Sequence, residues 1–164
     1  MRRIVLALLT CALAACGGDK TPLPPLVVGP EWMPLMLDTT GNFVMRRLGM
    51  WVDTAHVTRS PAGYAVATQR MQFDMKIGGV STGMHTRTEF DCAGKRYRAV
   101  GLDSVTASVK GVQMADSIAR QVNAAQAEKV AADTAWKSAA DNGGMNTVML
   151  SAVCANVPAA PPKA

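Results

Sequence analysis

Aromatic residues, charges and histidines are all scarce in this chain of 164 residues. Aromatic residues make up 5% of the sequence, charged residues 18%, and there are 2 histidines. The net charge of +5 falls by two, to +3, if Arg2 and Arg3 are removed with a leader peptide. So small a charge with so few aromatic residues excludes the surface of a typical nucleic-acid-binding protein. The apolar run near the N-terminus, 4–13, is shorter than the roughly 20 residues of a permanent transmembrane helix.

Hydrophobic residues, by contrast, are plentiful. They make up 49% of a 17.3 kDa chain, which is enough to form the core of one domain of ordinary size. The chain is too short for a TIM barrel or a complete α/β-hydrolase fold. The composition therefore predicts a single small globular domain.

The first residues have the pattern of a leader peptide. A basic start followed by the apolar run 4–13 is typical of a secretory signal peptide. The sequence L-A-A-C at 13–16 resembles the lipobox of bacterial lipoproteins, in which the cysteine is acylated and becomes the new N-terminus. The resemblance implies a signal peptide over 1–15, a lipid anchor on Cys16 and, because Gly17 follows, sorting to the outer membrane. The alternative is an ordinary signal peptide with an unmodified cysteine.

The chain contains 4 cysteines. Cys11 belongs to the leader and Cys16 to the lipid anchor, so Cys92 and Cys154 remain in an oxidising compartment and are expected to pair. Their separation is 62 residues, and closing a loop of that length destabilises the unfolded chain by roughly 4 kcal/mol. Neither lies in a C-x-x-C motif or has metal-ligand spacing. The sequence therefore predicts a structural disulfide.

Proline content divides the rest of the chain. Prolines recur through 16–39, a composition typical of an extended tether. The apolar residues at 32–37 suit a linker poorly, and the alternative is that they dock on the domain as an edge segment. We expect the folded domain at 40–156 and a disordered tail at 157–164.

Hydrophobic periodicity predicts about six strands. Met71, Phe73 and Met75 alternate with polar residues, which places them inside the domain and Asp74 outside. A turn signal at 59–63 predicts a hairpin between the runs on either side. The predicted strands are 48–58, 64–77, 86–92, 96–102, 105–112 and 147–153.

One long helix or two shorter ones are expected over 113–137. This stretch is rich in Ala, Gln, Glu and Lys, with apolar residues at roughly helical spacing. Its apolar stripe is thin, so we expect the helix to cover one face of the sheet. The predicted fold class is α+β, with an antiparallel sheet, a helix in the C-terminal half and one disulfide.

Several short motifs are similar to those of one known family. W-V-D-T at 51–54 followed by G-Y-A-V at 63–66 is similar to the opening hairpin of the surface-adhesin protein E family. E-F-D-C at 89–92 followed by R-Y-R at 96–98 resembles its central strand pair, and Trp136 fits the same outline. The family consists of small bacterial lipoproteins with an antiparallel sheet, a helix and a disulfide. Its namesake is an outer-membrane adhesin that binds host extracellular-matrix proteins.

The chain departs from the family pattern in two places. The 113–137 stretch is more helical than the family pattern, and the usual Tyr-x-x-x-Gly motif appears only as Val100-Gly101. The resemblance therefore implies a fold and a class of function, and it assigns no ligand-binding residue in this chain.

One short sequence matches an esterase motif but lacks the sequence context that the motif requires. G-V-S-T-G at 79–83 matches the G-x-S-x-G nucleophile elbow, which needs a strand before it, a helix after it and a histidine late in the chain. The only later histidine is His85, and a polar strand follows the motif. We interpret the motif as part of a hairpin loop.

Histidines and methionines could together form a copper site. His56 and His85 with Met33, Met36 and Met84 would suit Cu(I), but surface histidines and core methionines explain the same residues.

The basic residues Arg87, Arg96 and Arg98 would suit an acidic polymer such as lipopolysaccharide. Cross-strand ion pairs with the outward-facing Glu89 and Asp91 are the ordinary explanation. We therefore predict no catalytic residue, no metal and no cofactor.

The sequence as a whole predicts an outer-membrane lipoprotein that is not an enzyme. The first hypothesis is an adhesin-like binding module, held to the membrane by its N-terminal lipid and binding host matrix or other envelope proteins, not nucleic acid. The alternative is a periplasm-facing structural or accessory lipoprotein of an envelope complex. Which face of the outer membrane carries the domain is left open.

Overall fold

In the part of the chain that the structure describes, the fold is one antiparallel sheet with two helices. The computed structural model describes residues 28–40, 45–76, 78–109, 112–113, 116–141 and 144–159. The signal peptide, Cys16 and most of the predicted tether lie outside these residues. None of the helices in the described ranges is long and apolar enough to cross a membrane.

The sheet is a meander with small additions at its edges. Its strands pair in the order β1-β2-β4-β5-β6-β7, with β3 beside β4 and β8 beside β6. The strands are β1 Trp32–Asp38, β2 Met45–Asp53, β3 Thr58–Arg59, β4 Ala65–Met75, β5 Val80–Asp91, β6 Arg96–Val109, β7 Val112–Gln113 and β8 Lys137–Ser138. The helices are α1, Asp116–Ala132, and α2, Met145–Asn156. The predicted α+β class with an antiparallel sheet is confirmed.

The predicted hairpin turn at 59–63 is also confirmed. The Ser60 amide donates to the Tyr64 carbonyl at 2.9 Å, and the Gly63 amide donates to the Ser60 carbonyl at 2.8 Å. Gly63 has a φ of 88°, a left-handed conformation that glycine adopts without strain. This turn brings β4 back beside β2.

The last predicted strand, 147–153, is wrong: these residues belong to α2. The buried residues of α2 are Asn146, Met149, Leu150 and Val153, which recur at three- and four-residue intervals as on one side of a helix. Val148, placed in the core by strand alternation, is exposed. In a short apolar run both periodicities fit, and packing against the sheet selects the helix.

The domain boundaries also need correction. The segment Trp32–Asp38, assigned to the tether with docking as the alternative, pairs along β2 as an edge strand. Pro34 is tolerated there because an edge strand leaves one row of amides unpaired, and the register shifts beside it. At the other end, Val157 packs against the core and Arg59 Nε donates to the Pro158 carbonyl at 2.8 Å. The folded part therefore extends past both predicted ends of 40–156.

The hydrophobic core lies between α2 and one side of the sheet. We call this side the core face; it carries Val52, Ala65, Ala67 and Phe90, all buried against Met149 and Val153 of α2. Cys92 and Cys154 form the predicted disulfide, with a Cα–Cα distance of 5.8 Å. The bridge joins the chain just after β5 to the last turn of α2, so it fastens the helix to the core face.

Candidate functional site

A polar groove crosses β4, β5 and β6 on the side of the sheet opposite α2. Its side chains come from three rows of directly paired residues, and partners in an antiparallel ladder project from the same face. The rows are Arg70–His85–Ser104, Gln72–Gly83–Thr106 and Asp74–Ser81–Ser108, and of these residues Asp74 alone does not line the groove. We call this side the groove face. The groove has a volume of about 350 Å³, and Gln113 of β7 also lines it.

Hydroxyl and amide groups dominate the groove. Ser104, Thr106 and Ser108 alternate with apolar residues along β6, so all three line it, and Gln72 faces them from β4. Gly83 keeps the centre open, because a Cβ there would lie 2.7 Å from the Thr106 hydroxyl oxygen. The groove is therefore built to accept and donate hydrogen bonds.

A buried ion pair supports one end of the groove. Arg47 and Asp74 are 7% and 1% exposed, and Arg47 Nε lies 2.5 Å from the Asp74 carboxylate. Ser81 Oγ donates to the other carboxylate oxygen of Asp74 at 2.5 Å. Sequence alternation placed Asp74 outside, which is wrong, because this polar side of β4 is itself covered. The hydroxyl and the guanidinium together satisfy a charge that would otherwise be costly to bury.

Two tryptophans line the same face from β1 and β2. Trp51 is 4% exposed, and its ring lies over Gly49, where a side chain would overlap it. The Arg70 guanidinium sits 5.5 Å from the Trp51 ring centroid. Trp32 on β1 reaches His85 on β5, with ring centroids 5.4 Å apart, although two strands lie between them. Since a flat sheet would separate these strands by about 14 Å, the contact reflects the curl of the sheet toward the groove face.

His85 is held in its neutral form. Burial lowers the pKa of His85, the nearby Arg70 charge lowers it further, and Asp103 partly offsets both. Because the ordinary pKa of histidine is already below 7, the imidazole is neutral at neutral pH and offers one donor and one acceptor to the groove.

The basic residues of the hairpin between β5 and β6 are paired with carboxylates, as predicted. Arg98 donates to Glu89 through two nitrogens, at 2.9 and 2.7 Å, and Arg96 lies 2.8 Å from Asp91. The backbone amide of Gly94 and then Arg96 hold the pKa of Asp91 below its ordinary value. Glu89 is buried, not outward-facing as expected, because the Arg98 side chain covers it.

Trp136 stacks on this ion-pair cluster. The Arg96 and Arg98 guanidinium carbons lie 4.9 and 4.6 Å from its ring centroid, and Tyr64 contacts it edge-on at 4.9 Å. Arg87, in turn, lies 3.1 Å from Asp103. With these three arginines paired, the cluster suits a structural role better than the binding of an acidic polymer.

The G-V-S-T-G sequence is not a nucleophile elbow. Ser81 lies in β5, and the motif runs from the turn before β5 into that strand, not through a hairpin loop as expected. A strand follows Ser81 where an elbow needs a helix. Ser81 and His85 stand four residues apart along the strand, roughly 13 Å, which is too far for a catalytic pair.

The histidine-centred metal hypothesis gains no support from the geometry. His56 is 74% exposed, and its Nδ1 lies 2.8 Å from Asp53. His85 lines the groove, whereas its neighbour Met84 projects from the other face. Within the described ranges, no group of three or more His, Cys, Asp or Glu side chains is arranged to hold a metal.

Comparisons of this chain with protein-family models, with curated proteins and with solved structures find no match.

The groove itself was not predicted from the sequence. Its available signal was the S-x-T-x-S alternation at 104–108, which marks a strand with one fully polar side.

Proposed function

We propose that this chain is a lipid-anchored outer-membrane lipoprotein whose domain is an adhesin-like, non-enzymatic binding module. The L-A-A-C motif at 13–16 supports the anchor, and the disulfide between Cys92 and Cys154 suits an oxidising compartment. The likeness of short motifs to the surface-adhesin protein E family supports the adhesin-like role. The polar groove is the observation that most supports a binding role for the domain.

The groove offers a surface for an extended polar ligand. Hydroxyl, amide and imidazole groups from three neighbouring strands lie at its wall, and the Trp32 ring stands at the His85 end. Because strands and a covered ion pair hold these groups, little side-chain entropy is lost when a partner binds. A pre-formed polar groove of this kind favours binding of an extended polar segment of a macromolecular partner.

Membrane fractionation tests the anchor. Cys16→Ala is expected to leave the protein soluble, because no acyl chain can be attached, whereas the matched Cys11→Ala variant stays in the membrane fraction. Persistence in membranes of a Cys16→Ala protein from which the leader has been removed would refute lipidation at this position.

Protease shaving of intact cells separates the adhesin from its alternative. Loss of the domain, with a periplasmic control protein surviving in the same tube, supports surface display. Protection until the outer membrane is broken favours a periplasm-facing structural or accessory lipoprotein, and the adhesin role would then be withdrawn.

A matched pair of variants tests the groove. The full chain is screened against immobilised host matrix proteins, and the variants are then measured on any protein it binds. Ser104→Leu, inside the groove, is expected to abolish binding, whereas Ser151→Leu, exposed on α2, leaves it intact. Equal binding by both variants would exclude the groove as the contact surface.

A further inference from the structure

Four methionines stand in one line across four strands of the sheet. Met36 on β1 pairs with Met50 on β2, Met50 pairs with Met71 on β4, and Met71 pairs with Met84 on β5. These residues lie far apart in the sequence, and only the register of the strands brings them together. We call them the methionine row.

The methionine row lies on the core face. Directly paired residues of an antiparallel ladder share a face, with Cβ atoms about 4.5–5.5 Å apart. The neighbours of Met71 and Met84, such as Arg70 and His85, line the groove, so the methionines project from the opposite side. The side chains of adjacent methionines in the row are therefore attached close enough for their thioether sulfurs to contact one metal ion.

The row is only partly covered. Each of its methionines is half-buried, in contrast to Val52 and Phe90, which are fully buried beneath α2 on the same face. Helix α1 lies against β6, next to the last strand of the row. Each methionine of the row thus keeps some exposure to solvent.

The chemistry of the row is that of a soft-metal site. A thioether is uncharged, polarisable and held on a chain with three rotatable bonds, so neighbouring methionines adapt to a common ligand. Soft sulfur donors of this type select Cu(I) over Zn(II), Mg²⁺ or Ca²⁺. The next residue in line is Val105 on β6, so no carboxylate or amine enters the row.

We propose that Met50, Met71 and Met84 bind Cu(I), with Met36 at the open end of the row. Met71 is central because it is paired with both of the others. The site is distinct from the groove and from the histidines, and it adds a metal-binding capacity to the proposed binding module.

Silver titration tests the site, because Ag(I) has the same preference for thioethers and does not change oxidation state under the conditions used. Every protein carries Cys11→Ser and Cys16→Ser. Because Cys92 and Cys154 are joined in the disulfide, no free thiol is then left to bind Ag(I). Met71→Leu preserves volume and removes one sulfur. Met33→Leu on β1, outside the row, is the matched control.

One Ag(I) ion per chain is expected to bind by calorimetry in chloride-free buffer. Removing a residue that only hydrogen-bonds to a metal ligand weakens metal affinity by about tenfold or more. Removing a ligand itself should weaken Ag(I) affinity by at least as much. We expect that loss in Met71→Leu and none in Met33→Leu. Met84→Leu provides a second row variant if Met71→Leu does not fold, as judged by circular dichroism.

The pH dependence gives an independent readout. Thioethers carry no proton, so Ag(I) affinity should be the same at about pH 5 and about pH 7, whereas histidine or carboxylate ligands would lose affinity at the lower pH. Absence of Ag(I) binding, equal affinities in the row and control variants, or clear weakening at the lower pH would each overturn the proposal.

Discussion

On the core face of the sheet, Val52 and Phe90 are among the buried side chains, whereas those on the groove face include Trp51, Arg47 and Asp74. Side chains are buried on both faces, but by different means. The core face is covered by α2, and on the groove face long side chains cover one another beside the open groove. A polar side of a strand is thus not always a solvent-exposed side.

The two faces should respond differently to substitution. Apolar packing on the core face is non-directional and tolerates volume-conserving changes. The Arg47–Asp74 pair depends on geometry, because each charge is stable in the interior only while its partner is present. Removing the interaction on which each face most depends, and measuring the loss of stability, therefore tests the comparison.

The largest effect is expected on the core face, from loss of the disulfide. Replacing Cys92 and Cys154 by Ser frees a loop of 62 residues in the unfolded chain and should lower the free energy of unfolding by roughly 4 kcal/mol. Urea denaturation measures the change. Reduction of the unmodified protein should give the same loss, and a reductant should not affect the variant. A loss below about 1 kcal/mol would show that α2 is held by packing alone.

The next largest effect is expected on the groove face. Arg47→Met leaves the Asp74 carboxylate buried without this cation and should cost about 3 kcal/mol of unfolding free energy. Adding Asp74→Leu should recover most of the loss, because neither charge of this pair then remains. Lys137→Met, which breaks the exposed pair with Asp133, is the control and should cost less than about 1 kcal/mol. Equal costs for the buried and exposed pairs would contradict the view that Arg47 and Asp74 are shielded from water by the groove face.

Local signals in the sequence were enough for part of this fold. The disulfide followed from the number and positions of the cysteines, and the turn at 59–63 followed from its Pro and Gly. Helix α2 was missed because the run 147–153 fits either periodicity. The strand β1 was not assigned because its proline resembles those of the tether.

The groove and the methionine row depend on register, which a single sequence does not reveal. Nothing near Met71 in the sequence points to Met50 or Met84, and nothing near Asp74 points to Arg47. Such sites are assembled by long-range pairing, and the same pairing decides which polar residues are covered. This is why the burial of Asp74 and Glu89 was predicted wrongly although both were placed in strands, the strand of Glu89 beginning six residues earlier than the predicted 86–92.

The smallest effect distinguishes the faces by pH. The buried residues of the hydrophobic core cluster are all apolar, whereas the groove face carries His85, a titratable group whose pKa is lowered by burial and by the Arg70 charge. Because the pKa of His85 is lowered in the folded state, the unfolded chain binds a proton more readily between that pKa and the ordinary value. Stability should therefore fall slightly as the pH drops through the ordinary histidine pKa of 6.5.

Arg70→Gln removes a positive charge near His85 and should move the pKa of His85 upward, but not fully to its ordinary value, because burial is the larger cause of the shift. Two-dimensional NMR of the histidine rings across the acidic to neutral range measures the change. His56, far more exposed, provides a second ring signal in the same spectra. An unchanged His85 curve in Arg70→Gln would mean that Arg70 does not act on the imidazole. A full return to the ordinary pKa would mean that burial contributes nothing to the shift, and that His85 is less covered than the structure indicates.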